Sequence, residues 1–85
     1  MNHLYEIRRQ SGAGKFLGRI AATSHEEAAN VYTRHLYGAT RWADRVTGQA
    51  GLSGCFQPYK RIDNGATSIG SQIHVHEIRS EAAAS

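Results

Sequence analysis

Two histidines two positions apart, His74 and His76 in "QIHVHEIR", have the spacing best suited to chemistry. Alternate side chains of a strand point the same way, so both imidazoles could reach one Zn²⁺. A third ligand would have to come from His3, His25, His35 or Cys55, none of which stands at a recognisable metal spacing. The pair therefore reads first as solvent-facing or hydrogen-bonded histidines, with no metal and no cofactor expected. Cys55 offers a second chemistry, a thiol nucleophile with either histidine as base, but the sequence marks neither an oxyanion hole nor an orienting carboxylate. As the single cysteine it can form no intramolecular disulfide, which fits a reducing compartment, and it reads as a small packed residue.

"SGAGK", residues 11–15, has the outline of a phosphate-cradling loop without its parts. A P-loop needs a Gly five positions before its Gly-Lys, then Ser or Thr and a helix. Here those places hold Arg9 and Phe16, and a strand-like segment follows. The reading is a turn between two strands.

The whole chain limits what such groups can do. Its 85 residues allow one domain, taken as residues 1–79 with a frayed tail at 80–85. A pocket of roughly 300 Å³ or more would compete with the core for the same few apolar residues. Composition thus favours a binding module over an enzyme. The net charge is +3 and the pI near 9.4. Eight of the ten basic residues are Arg, whose planar fork pairs with carboxylates and phosphates; a charge this small does not by itself establish nucleic-acid binding. No apolar run approaches the roughly 18 residues of a membrane span, and "MNHLYEIRRQ" lacks the apolar core of a signal peptide. The expected location is the cytoplasm, with no membrane partner.

The elements that would position these residues follow from periodicity. "HLYEIRR" places Tyr5 and Ile7 opposite Leu4, Glu6 and Arg8, and "KFLGRIAAT" places Phe16, Ile20 and Ala22 opposite Leu17, Arg19 and Ala21. "TSHEEAANVYTRHLYG" predicts a helix from His25 to Tyr37, with Ser24 and Glu27 as a capping box and Gly38 as its stop. Ala28, Val31, Tyr32, His35 and Leu36 form its expected buried stripe. "TRWADRVT" alternates Trp42, Asp44 and Val46 against Arg41, Ala43 and Arg45; "SGCFQPYKRI" alternates Phe56 and Ile62 against Cys55, Gln57, Tyr59 and Arg61. Gly48 to Gly51 should make the turn between them and Gly54 a bulge, while Pro58, with no N–H, predicts an edge strand or another bulge. "DNGATSIGS" reads as a loop, and a last strand carries Ile73 and Val75 inward. The prediction is α+β: an antiparallel sheet of four to five strands with one helix on one face, in the order β-β-α-β-β-β.

If Phe16, Val46, Phe56 and Val75 face that helix, strict alternation puts Arg8, Arg19, Arg41, Arg45, Tyr59, Arg61, His74 and His76 on the other face. Tyr and Arg together are the mixture found at binding hot spots. Arg19, Arg41, Arg45, Tyr59, Arg61, His74 and His76, with Lys60 as the neighbour of Tyr59 and Arg61, are the expected partner-binding residues. Such a face suits single-stranded nucleic acid or an acidic patch on a protein complex.

Arg45, Thr47-Gly48, Ser53-Gly54, Phe56-Gln57 and Tyr59, then His74-Val75 and Glu77, resemble the C-terminal half of a small phage anti-CRISPR protein that acts on type I-E systems. The likeness runs from about Ile20 to Ile78, and the helix "EEAANVYTRHLYG" precedes the motif at a similar distance. What the resemblance implies is stoichiometric, non-enzymatic inhibition inside an infected bacterial cell. Its target would be the type I CRISPR effector, either the Cascade complex or the helicase-nuclease that Cascade recruits. Many inhibitors of this class are acidic mimics of DNA, and a basic chain departs from that pattern. The departure points instead to an acidic protein surface, to steric blocking of a docking site, or to nucleic acid already held in the complex. The alternative is a small basic nucleic-acid-binding or regulatory protein that uses the same face.

Overall fold

The computed structural model describes residues 2–46 and 51–78. Its elements are β1 (His3–Arg9), β2 (Phe16–Ala22), α1 (His25–Tyr37), β3 (Trp42–Arg45), β4 (Ser53–Ile62), β5 (Gly65–Ser68) and β6 (Ile73–Glu77). The strands form one antiparallel sheet in the order β2-β1-β6-β4-β3, with β5 also paired to β4, and α1 packs across one face. This is the expected α+β arrangement with one further strand: the segment read as a loop after Ile62 contains β5. The Thr47-Gly48 motif, most of the turn that Gly48 begins and the tail at 80–85 lie outside the described residues.

The helix follows its local signals closely. Ser24 Oγ accepts from the N–H of Glu27 at 3.0 Å, and Glu27 reaches back to the N–H of Thr23 at 2.6 Å, so two otherwise unpaired donors are satisfied. At the other end Gly38 N–H bonds to the carbonyl of Arg34. The buried side of α1 is made by His25, Ala28, Ala29 and Thr33, with Tyr32 half-buried. It is therefore rotated from the expected stripe: small alanines bring the helix close to the sheet, and Val31, His35 and Leu36 stay outside. Beneath it Tyr5, Ile7, Phe56, Ile73 and Val75 form the core.

Register decides which residues share a face, and it departs from strict alternation twice. In the β1–β2 ladder Ile7 pairs with Gly18 but Arg8 pairs with Phe16, so Leu17 is the extra residue of a bulge. Gly18, at φ 155°, supplies a backbone conformation that side-chain-bearing residues rarely adopt. Leu17 thereby turns to the core, and Phe16, expected there, moves to the opposite face. In β3 it is Ala43, not Trp42, Asp44 or Val46, that faces the helix. Asn30 on α1 holds it there, donating to the Ala43 carbonyl at 3.3 Å and accepting from its N–H at 2.9 Å. One side chain so completes the free edge of β3, where unpaired backbone would otherwise be exposed.

Pro58 sits in an interior strand, not at an edge. Its carbonyl accepts from Ile69 N–H, so its missing donor faces the same side, where the partner chain breaks between β5 and β6. Gln57 fills the break by donating from Nε2 to the carbonyls of Ile69 and Gly70. Gly54, expected as a bulge, pairs regularly with Val75. Its missing Cβ matters differently, because an added one would stand 2.8 Å from the Arg45 guanidinium.

Candidate binding face of the sheet

The face turned away from α1 gathers most of the sequence's chemical groups into a row. At the β3–β4 end Trp42 and Tyr59, cross-strand partners, stack with centroids 6.1 Å apart and planes 22° from parallel. The Arg61 guanidinium lies 5.9 Å from the Trp42 centroid, and the indole N–H donates to Asp44 at 3.1 Å. At the β1–β2 end Arg8 and Arg19 approach the ring of Phe16 at 5.6 and 5.8 Å. Phe16 is 46% exposed, so its ring is accessible to a partner. Each end thus presents an aromatic group with a cation, an arrangement that attracts either a base or a protein side chain.

Between the ends lie His74 and His76, stacked at 6.2 Å with planes 13° apart. Their neighbours across the β4–β6 ladder are Cys55 and Ser53. Ser53 Oγ and His76 Nδ1 are 2.7 Å apart. Glu6, opposite His76 on β1, accepts a hydrogen bond from Arg8. Glu6, Arg8, Gly12, Ser53, His74 and His76 line a depression of about 310 Å³. Gly12, from the β1–β2 turn, lies against the His74 ring. His74 Nδ1 is buried without a hydrogen-bond partner among the described residues. Burial, then the charges of His76 and Arg8, lower the His74 pKa below its ordinary 6.5, with Glu6 opposing.

Of the expected partner-binding residues, Arg19, Tyr59, Arg61, His74 and His76 share this face. Arg45 does not. It pairs with Phe56, places its guanidinium 4.8 Å from that buried ring, and binds Glu26 at the start of α1. Its hydrogen bond to Glu26 is the leading reason the Glu26 pKa is lowered. Lys60 alternates with Tyr59 and so points to the helix side, and Arg41 precedes β3 with its guanidinium on the Thr40 hydroxyl at 2.6 Å. Trp42, Phe16 and Ser53 join the face without having been expected there. The signal for Phe16 was Gly18, an isolated glycine within a strand pattern, which marks a bulge.

Two alternatives meet the same geometry. His3, His25 and His35 do not join the His74–His76 pair. His25 is buried under the sheet with Nε2 2.7 Å from the Leu52 carbonyl. Among the described residues no three His, Cys, Asp or Glu side chains gather as a metal site requires. Cys55 does face His74 across the ladder, which keeps that pair together on the open face. Among the described residues no helix is long and apolar enough to cross a membrane. Comparison with protein families, with characterised proteins and with solved structures finds no match to this chain.

Proposed function

We propose that the protein is a non-catalytic inhibitor that docks the open face of its sheet onto a type I CRISPR effector, as its resemblance to anti-CRISPR proteins implies. The observation that carries the docking part is the row itself: Trp42–Tyr59 with Arg61 at one end and Phe16 with Arg8 and Arg19 at the other, on a face that α1 leaves uncovered. Aromatic and Arg side chains of this kind supply most of the energy at protein interfaces. The resemblance supplies the choice of partner, Cascade or its recruited helicase-nuclease. The His74–His76 depression would lie at the middle of the contact.

A second reading has its own support in the Trp42–Tyr59 stack. Two nearly parallel rings beside a guanidinium form a platform on which an unpaired base can stack without sequence preference. The protein would then hold single-stranded RNA or DNA directly, and the guide or target strand of the effector is one source of it.

The deciding experiment is co-elution of the purified protein with type I-E Cascade on a sizing column, with labelled single-stranded and duplex oligonucleotides tested alongside at low and moderate salt. Co-elution without binding to bare oligonucleotide is the expected result. Salt-sensitive binding to bare single strands without co-elution favours the second reading, because phosphate contacts release counterions. Neither form of binding refutes both.

A further inference from the structure

We infer that the protein forms a symmetric dimer through the outer edge of β2, with Ile20 of one copy opposite Ile20 of the other. The sheet ends in β2 on one side and in β3 on the other. The β3 edge is short, and the Asn30 side chain closes it at Ala43. The β2 edge has no such cover: among the described residues only β1 pairs with that strand. A row of unpaired backbone groups is a template for another strand.

The ladder shows which groups are unpaired. On β1, Arg9 N–H donates to the Lys15 carbonyl on the β2 side, whereas the Leu4 carbonyl accepts from Ile78 and Gln10 N–H donates to Gln72 on the β6 side. Odd-numbered residues of β1 therefore point to β2 and even-numbered ones to β6. Tyr5 and Ile7 pair with Ile20 and Gly18, so Ile20 and Gly18 direct their backbone groups at β1, and Arg19 and Ala21 direct theirs outward. The next outward positions are closed at both ends. Leu17 is the extra residue of the bulge, and Thr23 N–H donates to Glu27 in the helix cap. What remains is a short template symmetric about Ile20.

That symmetry selects a second copy of this chain. With a two-fold axis at Ile20, perpendicular to the sheet, Arg19 of each copy lies opposite Ala21 of the other, and every outward N–H and C=O of these residues finds a partner. Moving the axis to Arg19 would oppose like charges directly, and moving it to Ala21 would set Arg19 against the engaged Thr23. With the axis at Ile20, the two isoleucines form a non-hydrogen-bonded pair with Cα atoms about 4.5 Å apart and side chains in contact. Ile20 opposes the buried Tyr5 and so lies on the helix side, where it lines a depression with Leu17, Val31, Tyr32 and His35. The axis sets this largely apolar hollow against its own copy. Both helices then lie on one side of a continuous sheet and both open faces on the other, whatever those faces bind.

The test uses the intact protein. Sedimentation equilibrium should show a monomer–dimer equilibrium, because an interface built on one short ladder stands at the small end of stable contacts. Exchange of the Arg19 and Ala21 amides should slow as the dimer forms, with the β3 amides unchanged. Ala21→Pro removes a donor that β1 does not use, so circular dichroism should report the same fold while the dimer weakens about tenfold or more. Ala21→Arg, at an exposed position, opposes like charges across the axis and should also weaken it; adding Arg19→Glu makes the opposed charges unlike and should restore it. Tyr59→Ala with Arg61→Ala should leave the dimer intact. A dimer that persists in Ala21→Pro, that the Tyr59 and Arg61 changes remove, or that Arg19→Glu does not restore would overturn the inference. So would a chain that stays monomeric at every concentration, which would leave the β2 edge to a strand of a different protein.

Discussion

The two faces of the sheet are made by the same strands, and each contains an arginine set on an aromatic ring. On the covered face Arg45 lies over Phe56, and Glu26 of α1 closes over its other side. On the open face Arg61 lies by Trp42, and Arg8 and Arg19 by Phe16, on the side away from α1. The same pair is therefore a structural clamp in one place and a contact surface in the other. Residue type alone does not separate these roles; the element packed above does.

The sharpest way to break this contrast is to truncate one ring on each side. Phe56→Ala removes a fully buried ring from the core and should cost about 3–5 kcal/mol of folding stability, read from urea unfolding. A loss below about 1 kcal/mol would mean that the covered face is not the core. Tyr59→Ala combined with Arg61→Ala should instead leave the protein folded and weaken effector binding by about 2 kcal/mol, roughly 30-fold. Unchanged binding in that double variant would remove the open face from the proposed function.

Arg45 permits a finer comparison, since its sequence motif and its position disagree. It falls in the stretch that carries the resemblance, yet its guanidinium is used between β3, Phe56 and α1. Arg45→Gln should lower stability by about 1 kcal/mol or less, because the ion pair with Glu26 is partly exposed and screened. Binding should change little. Loss of binding without loss of stability would return Arg45 to the interface.

What the sequence made legible was whatever local chemistry decides. The helix from His25 to Tyr37 was fully marked by Ser24, Glu27 and Gly38, because caps act within one turn. The strand faces of β4 and β6 were marked as well, with Phe56, Ile73 and Val75 inward and Tyr59, Arg61, His74 and His76 outward. The errors arose where distant partners set the register. Ala43 faces inward because Asn30 grips its backbone from the helix, and no periodicity within "TRWADRVT" encodes that contact. Phe16 crossed the sheet because one bulged residue reverses every side chain beyond it. Pro58 reads as an edge signal until its partner strand is seen to break opposite it.

The smallest effect expected is a titration, and it probes how open the open face is at its middle. His74 is faced by Glu6 and Arg8 from β1, by His76 on its own strand and by Cys55 across the ladder, with the turn at Gly12 against its ring. Burial leads the lowering of its pKa, so the folded protein resists protonation at a pH where the unfolded chain, near 6.5, accepts it. Stability from this source is therefore complete above about pH 6.5 and is lost as the pH falls through that value toward the folded pKa. Urea midpoints at about pH 7.5 and about pH 5.5 should fall further for the unaltered protein than for His74→Gln, which has no proton to take up. Equal falls would show that water reaches His74 freely and that the Gly12 turn does not cover it. The open face would then be continuous from Trp42 to Phe16, with the depression no longer dividing its two aromatic ends.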